Sequence, residues 1–331
     1  MNQHTELAPE LDTYLDALVI DGLRITSGER TVTADDPAEL RRKLGSMLYS
    51  AWHAGMSADN PSQRSPRRDP DFEQVLAGVV PHPTAETAAT VRSATQQDDR
   101  GEYVIAEIGR VRVRVPADVV AEKDRRPGAE ISIAVPAARP ALSPGFLMVS
   151  GSAGGVDGPG EVLRMYLHVT DSDEVAPVWQ ATLSALEEHG ARYRAKVLSR
   201  RTSFARRDAV VVYLPEPSWP HVATVARAVA GLPGIGDSTS SVAHRIGPGV
   251  ALAWDPRDPR PGWQRMSFGQ HRTAAIADGV LRHVAGEGPL RDTVAAALRD
   301  ASADPTSPAR NLSSPEFPVL ASEFDLAGAV R

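Results

Sequence analysis

The chain has 331 residues, 42% hydrophobic and 24% charged, with a formal net charge of −6 and no cysteine. That balance predicts a globular protein of two domains, or one large domain with an extension. The missing cysteines exclude disulfides, thiol nucleophiles and thiolate metal sites and fit a reducing cytoplasm. No apolar run approaches the roughly 18 residues that span a bilayer, the amino terminus shows no secretory pattern, and the acidic total argues against a general nucleic-acid binder.

The first hundred residues read as helical. In "DPAELRRKLGSMLYSAWHAG", Asp36 is an N-cap, Pro37 takes the first helical position and Glu39 completes an acidic variant of the capping box. Leu40, Leu44, Met47, Leu48 and Ala51 then form a helical apolar stripe. "GMSADNPSQRSPRRDP" is a polar loop, and further helices are expected over 71–79 and 84–95. Val111, Val113 and Val115 alternate with Arg110, Arg112 and Arg114, the pattern of a strand whose arginines form a solvated face. Repeated proline in "RRPGAEISIAVPAARPALSPG" marks a linker with a short strand and puts a domain boundary near 140. "GSAGGVDGPG" (151–160) reads as a flexible loop with neither the lysine of a P-loop nor the spacing of a dinucleotide fingerprint.

From 161 onward strands and helices alternate. "EVLRMYLHVT", "YRAKVLS", "AVVVYL" and "GVALAW" are strands, and helices cover 173–189 and about 217–231. Another helix opens at "SFGQHR", where Ser267 and Gln270 make a capping box. The expected class is α+β. A helical region with a small β element and linker spans 1–140, a mixed α/β domain with a central sheet flanked by helices spans 141–301, and a loosely ordered tail spans 302–331.

Several chemistries have no support. The nine histidines lack zinc-ligand spacing, and neither a G-x-S-x-G elbow nor a kinase motif set is present. The conspicuous feature is a basic island. Residues 190–210 hold six arginines and Lys196, one of three lysines in the chain, against Asp208 alone. Such an island in an acidic protein suits a compact anion. Alternation puts Arg194 and Lys196 on one strand face. Either that face is simply solvated, or Lys196 serves as a base, since an amine among cations loses its proton more readily than a guanidinium. Arg206 and Arg207 open a buried strand, as phosphate ligands or as ion-pair partners of Asp208. His271 and Arg272 lie in the first turn of a capped helix, an anion site or an ordinary cap. His168, on the strand "MYLHVT", is a core histidine or a functional one.

Taken in order, "LYSAWHAG", "GEVLRMYLHVT", "YRAKVLSRRTSFARRDAVVVYLP", "SVAHRIGPGVALAWDP" and "SFGQHR" resemble the HopA-like family of type III effectors. They most resemble its actinobacterial members, the lyase component of class V lanthipeptide and thioamitide biosynthesis. The resemblance runs from about residue 40 to 285 and is densest from 161 to 215. It implies elimination of phosphate from phosphoserine or phosphothreonine in a precursor peptide, leaving dehydroalanine or dehydrobutyrine, after a separate kinase-like protein has installed the phosphate. It further implies Lys196 as base and His271 or His168 as acid. Arg206, Arg207 and Arg164 would bind phosphate, with Arg194, Arg272 and Tyr213 among the substrate-binding residues. His168 stands where the family pattern has asparagine. No metal, cofactor, nucleic acid or membrane is implied. A function of another class also fits the arginines: a non-catalytic subunit that binds the precursor peptide or the kinase.

Overall fold

A computed structural model describes residues 7–56, 68–156, 158 and 160–318. Residues 57–67 of the expected polar loop, positions 157 and 159 of the glycine-rich loop, and 319–331 of the tail lie outside the described residues. Among the described residues, seven α-helices and three antiparallel sheets make a mixed α+β chain.

The amino-terminal part is not the helical block expected. After α1 (Pro9–Asp16) the chain makes a three-stranded meander of β1 (Leu18–Asp21), β2 (Arg24–Ser27) and β3 (Arg30–Thr33). Gly22 and Gly28 open its two-residue turns at φ +52° and +57°, the left-handed backbone such turns require. In α2 (Pro37–Leu48), Asp36 caps as expected by accepting from the Glu39 N–H at 2.8 Å, while the Glu39 carboxylate accepts from the Asp35 N–H at 3.1 Å. The helix runs on into one π-helical turn, Tyr49–His53.

α3 (Pro70–Gly78) forms where a helix is expected, but the segment 84–95 does not. It supplies β4 (Thr84–Val91), which pairs with β8 (Glu130–Pro136) and β6 (Gly101–Ile108). With β5 (Gln96–Asp98) and β7 (Val111–Pro116) these form a five-stranded sheet over its own small core of Val91, Val104, Ala106, Val115 and Ile133. Strand pairing and the β-branched Thr84, Thr87, Thr90 and Val91 override the helical preference of the alanines between them. Arg112 and Arg114 of β7 pair with Glu107 and Asp98, as a solvated face would.

The central sheet has seven strands in the order β14-β15-β11-β13-β12-β10-β9. They are β9 (Ala138–Ser143), β10 (Phe146–Ser150), β11 (Val162–Val169), β12 (Arg194–Leu198), β13 (Arg206–Pro215), β14 (His244–Gly247) and β15 (Val250–Trp254). One face is apolar. Leu163, Met165, Leu167 and Val169 pack with Val210, Val212 and Leu214 beneath α4 (Val175–Glu187) and α5 (Val222–Val229). Each such side chain contributes roughly 1.5–3 kcal/mol by leaving water. The other face meets α2, α6 (Phe268–Val284) and α7 (Leu290–Asp300) through Tyr166, Val211 and Ala253. The expected Ser267–Gln270 capping box opens α6.

Two segments are tighter than the sequence suggests. In the glycine-rich loop Gly151 bridges Gly154, and the Gly151 N–H donates to the Tyr193 carbonyl at 2.9 Å. Residues 302–318 are not a loose tail: Ala303 bridges Asn311, and both are buried.

The crossing of α6 and α7 depends on Gly279. A Cβ there would lie 2.4 Å from Val294 Cα and 2.8 Å from its nitrogen. Alanine would add about 1 kcal/mol of helix propensity, but overpacking costs about 1–3 kcal/mol, and a backbone obstacle cannot rotate away. Gly279→Ala should therefore lower the melting temperature; a rise would mean that the two helices separate without cost.

Candidate functional site

Pleating builds the site. A spacing of two puts Arg194 and Lys196 on one face of β12, and antiparallel register extends that face across the sheet. Arg164 pairs with Tyr213, Tyr213 with Arg194, and Arg194 with Ser150. The adjoining row runs Tyr166, Val211, Lys196, Met148. Arg164, Arg194, Lys196 and Tyr213 thus converge on an open cleft of about 280 Å³, which Met148 and Asp255 also line.

Lys196 Nζ stands 4.2 Å from the centre of the Phe146 ring and 5.8 Å from that of Tyr213, within cation–π range of both. Among the described residues no carboxylate comes within ion-pair distance of it. Arg164 is 8% exposed, pairs with Asp255 and lies over the Tyr213 ring at 4.9 Å. Burial works against its charge, but Tyr166, Tyr213 and Asp255 hold the guanidinium above the ordinary arginine range. The Nε atoms of Arg164 and Arg194 have no hydrogen-bond partner among the described residues. Two buried N–H donors beside the cleft are therefore unspent.

Arg206 has a different duty. Its Nε and Nη2 donate to the two oxygens of Asp208 at 2.7 Å each, and Nη2 also donates to the Tyr49 hydroxyl at 3.1 Å. The Tyr49 hydroxyl in turn donates to Asp208 at 3.3 Å, and His53 Nε2 lies 3.9 Å from the same carboxylate. Burial would raise the Asp208 carboxyl, but Arg206 keeps it well below the usual carboxylate range. Of the two readings the sequence allowed for Arg206, the ion pair with Asp208 is the one formed in this structure.

Arg207 and His168 form a separate cluster. Arg207 Nη1 donates to the carbonyls of Trp52 at 3.1 Å and Ala51 at 3.4 Å, and its Nε to Ser238 at 3.4 Å. The Ser238 hydroxyl also meets His168 Nδ1 at 3.2 Å. Burial, then Arg207, lowers the His168 imidazole below its usual range. Neither residue lines the Lys196 cleft.

Nor does His271. It is fully buried, with Nε2 3.0 Å from Asp258 Oδ2 and Nδ1 accepting from Arg272 Nη1 at 2.7 Å. Burial, then the neighbouring Arg272, lowers the ring to about 4, so it is neutral near pH 7. Arg272 donates to the carbonyls of Pro308 at 2.6 Å and Arg310 at 3.0 Å, and to Asn311 Oδ1 at 2.8 Å. Arg272 thereby braces the chain after α7. The start of α6 packs Phe268 against His53 and Tyr166.

Four contributors escaped the reading of the sequence: Phe146, Asp255, Tyr49 and His53. Asp255 carried a usable signal, a carboxylate directly after the buried strand "VALAW". Among the described residues no group of three or more His, Asp or Glu is arranged to hold a metal ion, and no helix is long and apolar enough to cross a membrane.

The model of the HopA1 effector protein family matches residues 137–310. The chain belongs to that family, and the matched span contains every residue that lines the cleft. It begins later and ends later than the stretch on which the sequence motifs lie, leaving "LYSAWHAG" outside. The chain is similar to the solved effector protein of Pseudomonas syringae pv. tomato strain DC3000, at 14% identity, with 85% of this chain and 91% of that one covered and a TM-score of 0.48. It is also similar to the effector protein of Pseudomonas syringae pv. syringae strain 61, at 14% identity, 84% and 90% coverage and a TM-score of 0.46. No curated protein matches.

Removing the Arg206 side chain would strand a carboxylate that is 4% exposed. Arg206→Ala should cost about 3–5 kcal/mol in urea unfolding, and Arg206→Met combined with Asp208→Leu should recover most of it. A loss below about 1 kcal/mol would mean that Asp208 is solvated and Arg206 is free to bind a ligand.

Proposed function

We propose that this HopA1-family protein eliminates phosphate from phosphoserine or phosphothreonine in a peptide, leaving dehydroalanine or dehydrobutyrine. The observation that carries the proposal is the cleft itself: one lysine without a carboxylate partner among the described residues, beside two arginines that each keep an N–H without a partner there. A phosphate monoester carries two negative charges near neutral pH, and Arg164 and Arg194 offer it charge-assisted hydrogen bonds.

The steps follow from the residues. Lys196 Nζ, as the free amine, takes the α-proton of the bound residue. The electron pair of that C–H bond becomes the Cα–Cβ double bond, the Cβ–O bond breaks, and phosphate leaves with its pair. The departing oxygen takes a proton from the Tyr213 hydroxyl, which stands in register between the two arginines and regains a proton from solvent. Tyr213 thus takes the acid role first given to His271 or His168, neither of which lines the cleft. The arginines neutralise charge where it develops, and preorganised donors of this kind contribute strongly to transition-state stabilisation. No redox step occurs. The phosphate would come from a separate kinase-like protein acting on a ribosomal precursor peptide.

Lys196→Arg tests the assignment, because it keeps the charge and supplies a group that does not give up its proton. Dehydrated product from a synthetic phosphopeptide, followed by mass spectrometry, should fall by about 10²–10⁴-fold, with phosphopeptide binding nearly unchanged. Elimination by Lys196→Arg at close to the wild-type rate would sink the mechanism. A wild-type protein that binds phosphopeptide but leaves it intact would instead be a binding subunit.

A further inference from the structure

A second cleft lies apart from the Lys196 site and shares no lining residue with it. It is a groove of about 660 Å³ between α2 and the loop that leads into α6. Its charge is one-sided: Arg41, Arg42 and Arg265 line it, and no carboxylate does. Arg265 is exposed and has no ion-pair partner among the described residues. Arg42 has only Glu39, at 3.9 Å, with 74% of its side chain in solvent. Arg41 is held by Asp278 and lies 5.5 Å from the centre of the Trp263 ring, and Arg260 lies 3.7 Å from the same centre. Between the arginines the surface is apolar, with Trp263, Met266 and Ala274. α2 and α6 come together at Gly45, where an added Cβ would lie 3.8 Å from Ala274 Cα.

We infer that this groove binds an acidic, amphipathic peptide segment, a second peptide site beyond the elimination cleft. Charge complementarity selects the occupant. In a chain of net charge −6, this groove is lined by three cations and no anion, so the overall field repels a long polyanion while the groove attracts a short acidic one. The apolar strip calls for side chains that leave water, which an amphipathic peptide supplies and a nucleic-acid backbone does not. The volume also differs from that of the cleft, about 660 Å³ against about 280 Å³: the first takes several side chains, the second one modified residue. Tyr49 ties the groove to the buried Arg206–Asp208 pair, since it lines the groove and its hydroxyl accepts from Arg206.

The test needs no chemistry at the cleft and so does not depend on the elimination reading. The probe is a fluorescein-labelled synthetic helical peptide of glutamate, alanine and leucine, read by fluorescence anisotropy, with a lysine-for-glutamate version as control. The full-length protein should bind the acidic probe at least tenfold more tightly than the control, and more weakly as salt rises. Arg42→Glu with Arg265→Glu should weaken the acidic probe at least tenfold. Both residues are exposed, and an unchanged melting temperature verifies that the variant is folded. A milder variant, Arg265→Gln, should lie between the two. Absence of acidic-probe binding, equal binding of the two probes, or unaffected variants would overturn the proposal. Displacement of the probe by single-stranded oligothymidine at equal concentration would also overturn it in favour of a nucleic-acid surface.

Discussion

The period of two along a strand governs this molecule. β11, β13 and β12 lie side by side in antiparallel register, so a residue's parity decides which core it enters. One parity carries Leu163, Met165, Leu167, Val210 and Val212 into a continuous apolar layer under α4 and α5. The other carries Arg164, Tyr166, Arg194, Lys196 and Tyr213 onto a single opposite face. A slip of one residue in any of the three strands would bury its cations in the apolar layer, a cost no nearby group could offset. The hydrophobic layer therefore fixes the position of the polar site, although it touches none of the reacting groups proposed.

Cations brought this close repel one another, and the structure handles the repulsion by unequal sharing of carboxylates. Asp208 takes Arg206 in a bidentate pair, and Asp255 takes Arg164. Lys196 receives no carboxylate among the described residues; its neighbours are the rings of Phe146 and Tyr213. Buried ion pairs are weak sources of stability but strong positional restraints, because breaking one strands a charge. Asp208 also gathers Tyr49 and His53 from the π-helical turn. The helical layer is thereby tied to the sheet at the edge of the cleft.

Much of this was legible in the strand patterns. The central strands from 161 to 254 and the capped helix at 267 follow from alternation and the Ser267–Gln270 box. Lys196 and Arg194 could be put on one face from spacing alone. The amino-terminal meander carried a local signal in Gly22 and Gly28, each the first residue of a two-residue hairpin turn. The segment 84–91 could not be read locally. Its alanines favour helix, and only pairing with β8, more than forty residues away, decides for strand. The roles of Arg206 and His271 were equally hidden. Each sits beside a partner the sequence does not reveal as buried, and burial turns a candidate ligand into one half of a closed pair.

The segment after α7 shows how a distant stretch bears on the cleft. Arg272, with no solvent exposure, is a costly group to bury, and burial lowers its guanidinium to about 9. Its charge is tolerable because the carbonyls of Pro308 and Arg310 and the Asn311 side chain accept its donors. Those acceptors exist only when residues 308–311 are folded against α6, so the buried cation makes their docking obligatory. Asn311 then uses its remaining amide to donate to the Asp255 carbonyl at 2.8 Å, and the Asp255 carboxylate holds Arg164. A run of polar contacts thus leads from inside α6, through the chain after α7, to the guanidinium that lines the cleft. A polar, proline-containing stretch that reads as a loose tail is in this fold the outer support of the site.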